Sequence, residues 1–139
     1  NHIYHFYSNR NKMIKILVVD DEKDIQPLFE QRFRKEIRSG EILLEFAFSG
    51  EEALICLEKY VHEAVLILSD INMPGMSGLE LLSRIKAKYN DPPPLVMMIS
   101  AYGDQENYTK AMEQGADDFI SKPVDFVALK EKIKKCCDG

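Results

Sequence analysis

The sequence predicts an α/β fold, a doubly wound parallel sheet of five strands, and three observations predict it. Short apolar runs alternate five times with stretches of helical periodicity, the pattern of repeated strand–helix units. Runs such as Ile16-Leu17-Val18-Val19 and Val65-Leu66-Ile67-Leu68 are apolar at successive positions, so both faces of those strands are covered. Four of the runs end in groups that handle phosphate or a metal: Asp20-Asp21-Glu22, Asp70, Ser100-Ala101 and Lys122-Pro123.

Ile14–Val19 is the first strand. Ile25, Phe29, Phe33 and Ile37 then recur every four residues, marking the inner stripe of one amphipathic helix that Ser39-Gly40 closes. Ile42–Phe48 alternates more and is expected at a sheet edge. Ser49-Gly50-Glu51-Glu52 is a capping box that opens a helix running to about Tyr60. The strand ending at Asp70 follows. Ser77-Gly78-Leu79-Glu80 is a second capping box, opening a helix with Leu79, Leu82 and either Ile85 or the Lys86 stem facing inward. Pro92-Pro93-Pro94 stops any helix and delivers the chain to the strand Leu95–Ile99. Asp104 caps the next helix and Gly115 ends it. Asp117–Ser121 is the fifth strand, and Asp125–Cys136 the last helix, with Phe126, Leu129 and Ile133 inward.

At 139 residues, with 45% hydrophobic and 29% charged residues, the chain is most simply one soluble domain with a sizeable core. A net charge of -5 argues against direct nucleic-acid binding by this segment. No apolar run reaches the roughly 18 residues of a membrane span, and the start lacks the layout of a secretory signal. Residues 1–12 are expected to be an N-terminal extension, residues 13–137 the domain, and 138–139 a tail or the start of a linker. Cys56, Cys136 and Cys137 make an odd count without metal-ligand spacing, which fits a reducing cytoplasm. Cys56 is expected to be buried, and Cys136-Cys137 to be exposed at the tail.

Right-handed crossovers bring the C-terminal ends of all parallel strands to one edge, where ligands of such folds bind. Asp20, Asp21 and Asp70 therefore converge. Like charges about 4 Å apart repel by roughly 4 kcal/mol in a partly screened site, so a cation is required. Mg²⁺ suits an oxygen-only donor set and keeps several waters. Asn72 offers its backbone carbonyl just past Asp70, and Lys122 is a point charge suited to a phosphoryl oxygen. A carboxylate nucleophile beside Mg²⁺ and a lysine is the equipment for forming an aspartyl phosphate. Ser100 can donate a hydrogen bond to the new phosphoryl group, and small Ala101 leaves room for its entry.

Leu17-Val18-Val19-Asp20-Asp21-Glu22, Asp70-Ile71-Asn72-Met73-Pro74-Gly75-Met76-Ser77-Gly78, Ser100-Ala101, Gly115-Ala116-Asp117-Asp118-Phe119 and Lys122-Pro123 together resemble a response-regulator receiver domain of two-component signalling. The resemblance covers about Ile14 to Lys135. It implies a flavodoxin-like (βα)5 fold with strand order 2-1-3-4-5, an order the handedness rules alone do not dictate. It implies that Asp70 accepts a phosphoryl group from the phosphohistidine of a sensor histidine kinase or phosphotransfer protein. Asp21, Asp70 and the Asn72 carbonyl would bind Mg²⁺ directly, and Asp20 through water. Lys122 would pair with the phosphoryl group, Ser100 would move toward it as the switch hydroxyl, and Phe119 takes the switch-aromatic position. The Lys122–Pro123 bond is expected to be cis, as before proline it can be. The output face would comprise the helix from Asp104 to Gln114, the fifth strand and the last helix, a face through which some such domains form homodimers. The first helix commonly borders the kinase-docking surface. The implied role is a phosphorylation-driven switch and not an enzyme acting on a metabolite.

Two rivals fit less well. A haloacid-dehalogenase-type phosphatase carries a second Asp two residues after its nucleophile, whereas Asp20 is followed by Glu22 and Asp70 by Asn72. An adaptor that never becomes phosphorylated has no use for the full acid–hydroxyl–lysine set. The lysines of Lys130-Glu131-Lys132-Ile133-Lys134-Lys135 read as the solvated face of an amphipathic helix.

Overall fold

The computed structural model describes residues 13–60, 65–90 and 93–138. The expected extension at residues 1–12 and Pro92 lie outside the described residues. Five strands, β1 (Ile14–Val19), β2 (Ile42–Ala47), β3 (Val65–Asp70), β4 (Leu95–Ala101) and β5 (Asp118–Lys122), form one parallel sheet in the order β2-β1-β3-β4-β5. The helices are α1 (Ile25–Arg32), α2 (Arg34–Ser39), α3 (Gly50–Leu57), α4 (Gly78–Lys88), α5 (Gln105–Glu113) and α6 (Phe126–Asp138).

Strand periodicity divides the core into two layers. Leu17, Val19, Ile67, Val96 and Met98 pack on one face with Ala53, Leu57, Leu81, Leu82, Ile85 and Ala111 of α3, α4 and α5. Ile16, Val18, Leu66, Leu68, Met97 and Ile99 pack on the other with Phe29, Phe33, Leu129 and Ile133. Central β3 is buried at every position, which is why its sequence is an unbroken apolar run. Strand β2 lies at the sheet edge, as expected, but its burial does not alternate, since its four middle positions are all half-buried.

Local chemistry sets the element ends. Ser49 Oγ accepts from the Glu52 amide at 3.0 Å, and Glu52 Oε1 accepts from the Phe48 amide at 3.0 Å, so the first box is closed from both sides. The second is closed from one side only. Ser77 Oγ accepts from the Glu80 amide at 3.2 Å, but Glu80 turns forward to Arg84 at 2.8 Å, a favourable i,i+4 pair.

Several expectations need correction. The first helix is not continuous: Phe33 leaves the helical basin (φ -105°, ψ 15°) and divides it into α1 and α2. The buried stripe therefore stops at Phe33, whose ring stacks on Phe29 at 5.9 Å and meets Phe126 at 6.1 Å, and Ile37 is exposed. The helix after Ser49 ends at Leu57 and tightens into a 3₁₀ turn over Glu58–Tyr60. In α4, Leu81 joins the buried stripe and Leu79 is only half-buried. Strand β4 extends to Ala101. Strand β5 begins at Asp118, because Asp117 is held outside it: Asp117 Oδ2 accepts from the Val96 amide at 2.8 Å and from Lys86 at 3.1 Å. Cys56 is half-buried against one core layer, and Cys136 and Cys137 against the other, with their sulfurs 3.1 Å apart. Lys130 and Lys132 are not simply solvated, since they pair with Glu36 at 3.1 Å and Asp118 at 2.8 Å.

Candidate phosphoacceptor site

Asp20, Asp70, Ser100 and Lys122 stand at the C-terminal ends of β1, β3, β4 and β5. The strand order reverses between β1 and β3, and the crevice at such a switch point is the ligand site of open α/β sheets. Parallel register aligns the four: Asp70 lies opposite Ile99, one residue short of Ser100, while Ser100 faces Ser121 and Ala101 faces Lys122.

The loop after Asp70 is pinned by apolar burial. Ile71, Met73 and Met76 are all buried, the Ile71 amide donates to the Ile99 carbonyl at 3.0 Å, and the Gly78 amide donates to the Ile71 carbonyl at 2.7 Å. Helix α4 thus begins directly against the backbone of the strand end. A Cβ on Gly78 would stand 2.1 Å from the Asp70 carbonyl oxygen, so only glycine permits this approach. Reading Ser77-Gly78 as a capping box alone misses that second constraint, because it arises from a contact across the loop.

Carboxylate oxygens of Asp20, Asp21 and Asp70 all lie within 4.8 Å of one another. Asp20 and Asp70 are buried, and Asp21 is more open to solvent. At that spacing each pair repels by about 3 kcal/mol at an effective dielectric near 20. Burial pushes the Asp20 carboxyl above the usual aspartate range, the nearby Asp70 charge pushes it the same way, and the Glu22 amide, 2.9 Å from Asp20 Oδ1, opposes the shift. Among the described residues one cation reaches in. Lys122 Nζ is 3.2 Å from Asp70 Oδ2. A single ammonium leaves three carboxylates under-compensated, and an all-oxygen donor set of this charge fits a hard divalent cation such as Mg²⁺. Asn72 is exposed in the pinned loop, two residues past Asp70. The Lys122–Pro123 peptide bond is cis, as the resemblance implies.

Ser100 is fully buried, and its hydroxyl donates to Asp104 Oδ2 at 3.2 Å. Phe119 is half-buried at the edge of one core layer and meets the Tyr108 ring of α5 edge-on, centroids 5.3 Å apart. Sequence reasoning reads Asp104 as a helix cap and leaves Tyr108 without a role. Ser100 and Asp104 are four apart with Gly103 between them, a spacing whose meaning depends on a loop conformation that sequence does not specify.

The model of the response regulator receiver domain matches residues 16–134. The chain belongs to the response regulator receiver domain family. Response regulator RppA of Synechocystis is 31% identical over 121 residues, covering 87% of this chain and 49% of that protein. A cyclic di-GMP phosphodiesterase of Thermotoga maritima is 38% identical over 118 residues, covering 85% of this chain and 29% of that protein. The chain thus spans about half or less of these curated relatives. Among solved structures, a CheY-like receiver domain protein from Methanospirillum hungatei is 34% identical with a TM-score of 0.75, covering 91% of this chain and 95% of that one. A receiver domain from Clostridium thermocellum is 27% identical with a TM-score of 0.78, covering 91% and 95%. The receiver domain is a two-component signalling module, and its acidic pocket here is compatible with Mg²⁺. No helix among the described residues is long and apolar enough to cross a membrane.

Proposed function

We propose that this domain is a phosphoacceptor switch in which Asp70 takes a phosphoryl group from the phosphohistidine of a sensor histidine kinase or phosphotransfer protein. The observation that carries this reading is the Lys122 ammonium 3.2 Å from Asp70 beside the Asp20–Asp21–Asp70 carboxylates. An Asp70 oxygen attacks phosphorus, the P–N bond to the donor histidine breaks, and the imidazole leaves with the bonding pair. The nucleophile is already ionised, so no general base is required, and catalysis consists of positioning and charge neutralisation.

Asp21, Asp70 and the Asn72 carbonyl would hold Mg²⁺, with Asp20 acting through water. When bound, the ion supplies charge neutralisation for the phosphoryl oxygens. Lys122 shifts from the Asp70 carboxylate to the phosphoryl group, while buried Ser100 donates its hydroxyl to it. Phosphorylation adds roughly -1.5 to -2 charges, and the response is a population shift of α5, β5 and α6, with Phe119 as the switch aromatic. Exposed Tyr108, Met112 and Val127 on α5 and α6 offer that face apolar contacts for an effector or a second copy of the domain. The exposed Arg34, Lys35 and Arg38 of α2 border the kinase-docking side. The domain is a cytoplasmic switch whose only chemistry is its own phosphorylation and dephosphorylation, residues 13–137 being the unit that switches.

Incubation with acetyl phosphate and Mg²⁺ followed by intact-mass measurement tests the assignment. One added phosphoryl group is expected, with none in Asp70→Asn. No gain in the unmodified protein, or an undiminished gain in Asp70→Asn, refutes it.

A further inference from the structure

Ser100 has one hydroxyl proton, and in this structure it is already committed. The residue is fully buried, and the proton goes to Asp104 Oδ2 at 3.2 Å. A serine hydroxyl can donate to one acceptor at a time. Donation to Asp104 and donation to a phosphoryl group on Asp70 are therefore mutually exclusive.

Asp104 has a second task. Its Oδ1 accepts from the Asn107 amide at 3.2 Å, which caps α5, and its Oδ2 also accepts from Asn107 Nδ2 at 2.7 Å. One carboxylate thus joins the Ser100 hydroxyl to the first turn of α5. In the next turn the Tyr108 amide donates to the Asp104 carbonyl at 3.1 Å, and the Tyr108 ring meets Phe119. The polar groups facing Asp104 are Ser100 and Asn107 by hydrogen bond and Lys110 by charge.

We propose that Asp104 is a positioning residue that latches the Ser100 hydroxyl in the unphosphorylated domain, so that its transfer to the phosphoryl group loosens the capped first turn of α5. This rests on the reading of Asp70 as the phosphoacceptor. The latch makes the resting state more than the mere absence of phosphate. It sets how far the equilibrium leans before any phosphoryl group arrives, and it couples the hydroxyl to α5 through a charge-assisted hydrogen bond.

The decisive experiment is a double-mutant cycle with Asp104→Ser, Ser100→Ala and the double variant. Serine preserves an N-cap acceptor but is too short to reach Ser100. Amide resonances of residues 105–113 are placed on the line between the free and acetyl-phosphate-treated wild-type positions. Asp104→Ser is expected to raise the switched-to-resting ratio several-fold, as for loss of one hydrogen bond of ordinary strength. In the Ser100→Ala background the same substitution is expected to have a clearly smaller effect, since the bond to Ser100 is already absent and only the Asn107 side-chain contact remains to be lost. Equal effects in both backgrounds mean that Asp104 only caps the helix and overturn the latch. Should Asp104→Ser fail to fold, the isosteric Asp104→Asn, which keeps one capping oxygen, serves in the same cycle with the same criteria. A wild-type protein that takes up no phosphoryl group overturns the phosphoacceptor reading and the latch with it. Uptake followed by an additive cycle overturns the latch alone.

Discussion

Gly78→Ala tests how the phosphoacceptor is held. The added methyl would lie 2.1 Å from the Asp70 carbonyl oxygen, 2.7 Å from Ile71 Cα and 2.9 Å from the Asp70 carbonyl carbon. Non-bonded carbons settle at about 3.5–4.0 Å, so relief requires a displacement of about 1 Å. All three obstructing atoms are backbone, and they belong to a strand end whose neighbours are buried, so no flexible side chain can yield. Overpacking of this kind costs about 3 kcal/mol, the upper part of its usual range. Alanine's better helix propensity returns at most about 1 kcal/mol. The net loss is about 2 kcal/mol, a fall of roughly 6–10 °C in the thermal midpoint for a domain of this size. Gly40→Ala is the control. Gly40 has φ +82° with nothing within 4 Å of the added Cβ, so that substitution reports backbone strain alone, about 1 kcal/mol. Urea and thermal unfolding followed by circular dichroism measure both. If Gly78→Ala unfolds within about 0.5 kcal/mol of wild type, the close approach does not constrain the Asp70 strand end.

Two further outcomes follow from the site. Mg²⁺ at a hundred times its Kd is expected to add about 2.7 kcal/mol of stability, reversed by chelation. Asp20→Asn should raise the metal-free thermal midpoint by relieving about 1 kcal/mol or more of carboxylate repulsion, while weakening Mg²⁺ binding tenfold or more. Calorimetric scans with and without Mg²⁺ check both signs, and a lowered metal-free midpoint would contradict the electrostatic account. Hydrogen bonds from the Asn107 amide and then its side chain hold the Asp104 carboxyl below the usual aspartate range. Its folded-state pKa is depressed, so its contribution to stability is full above the unfolded value near 3.9 and lost as pH falls through the folded value. Carboxyl carbon shifts followed through an acid titration should show its midpoint below about 3.9, and a midpoint at or above that value would remove the capping bond from the account.

The strand-end residues were legible because they follow short apolar runs whose length and composition mark covered strands without reference to distant context. Asp20, Asp70, Ser100 and Lys122 each terminate such a run, and right-handed parallel topology then requires them to share an edge. The two capping boxes were legible for a similar reason, since their bonds close within four residues. The break at Phe33 was not. An apolar residue every four positions describes an unbroken stripe, and it is the packing of Phe33 with Phe29 and Phe126 that ends it. The half-burial of Cys136 and Cys137 was hidden likewise, because it depends on the second core layer.

By itself, then, the amino-acid sequence determined the class of fold, the strand ends and the chemical kinds of group that meet there, all of which depend on local periodicity and chain chirality. Only the tertiary structure decided how those groups are held. The ion pair from Lys122 to Asp70, the approach of Gly78 to the Asp70 carbonyl and the donation of the Ser100 hydroxyl to Asp104 depend on separations of a few tenths of an ångström. Such separations are set by loops packed on a close-fitting core, and no spacing along the chain encodes them.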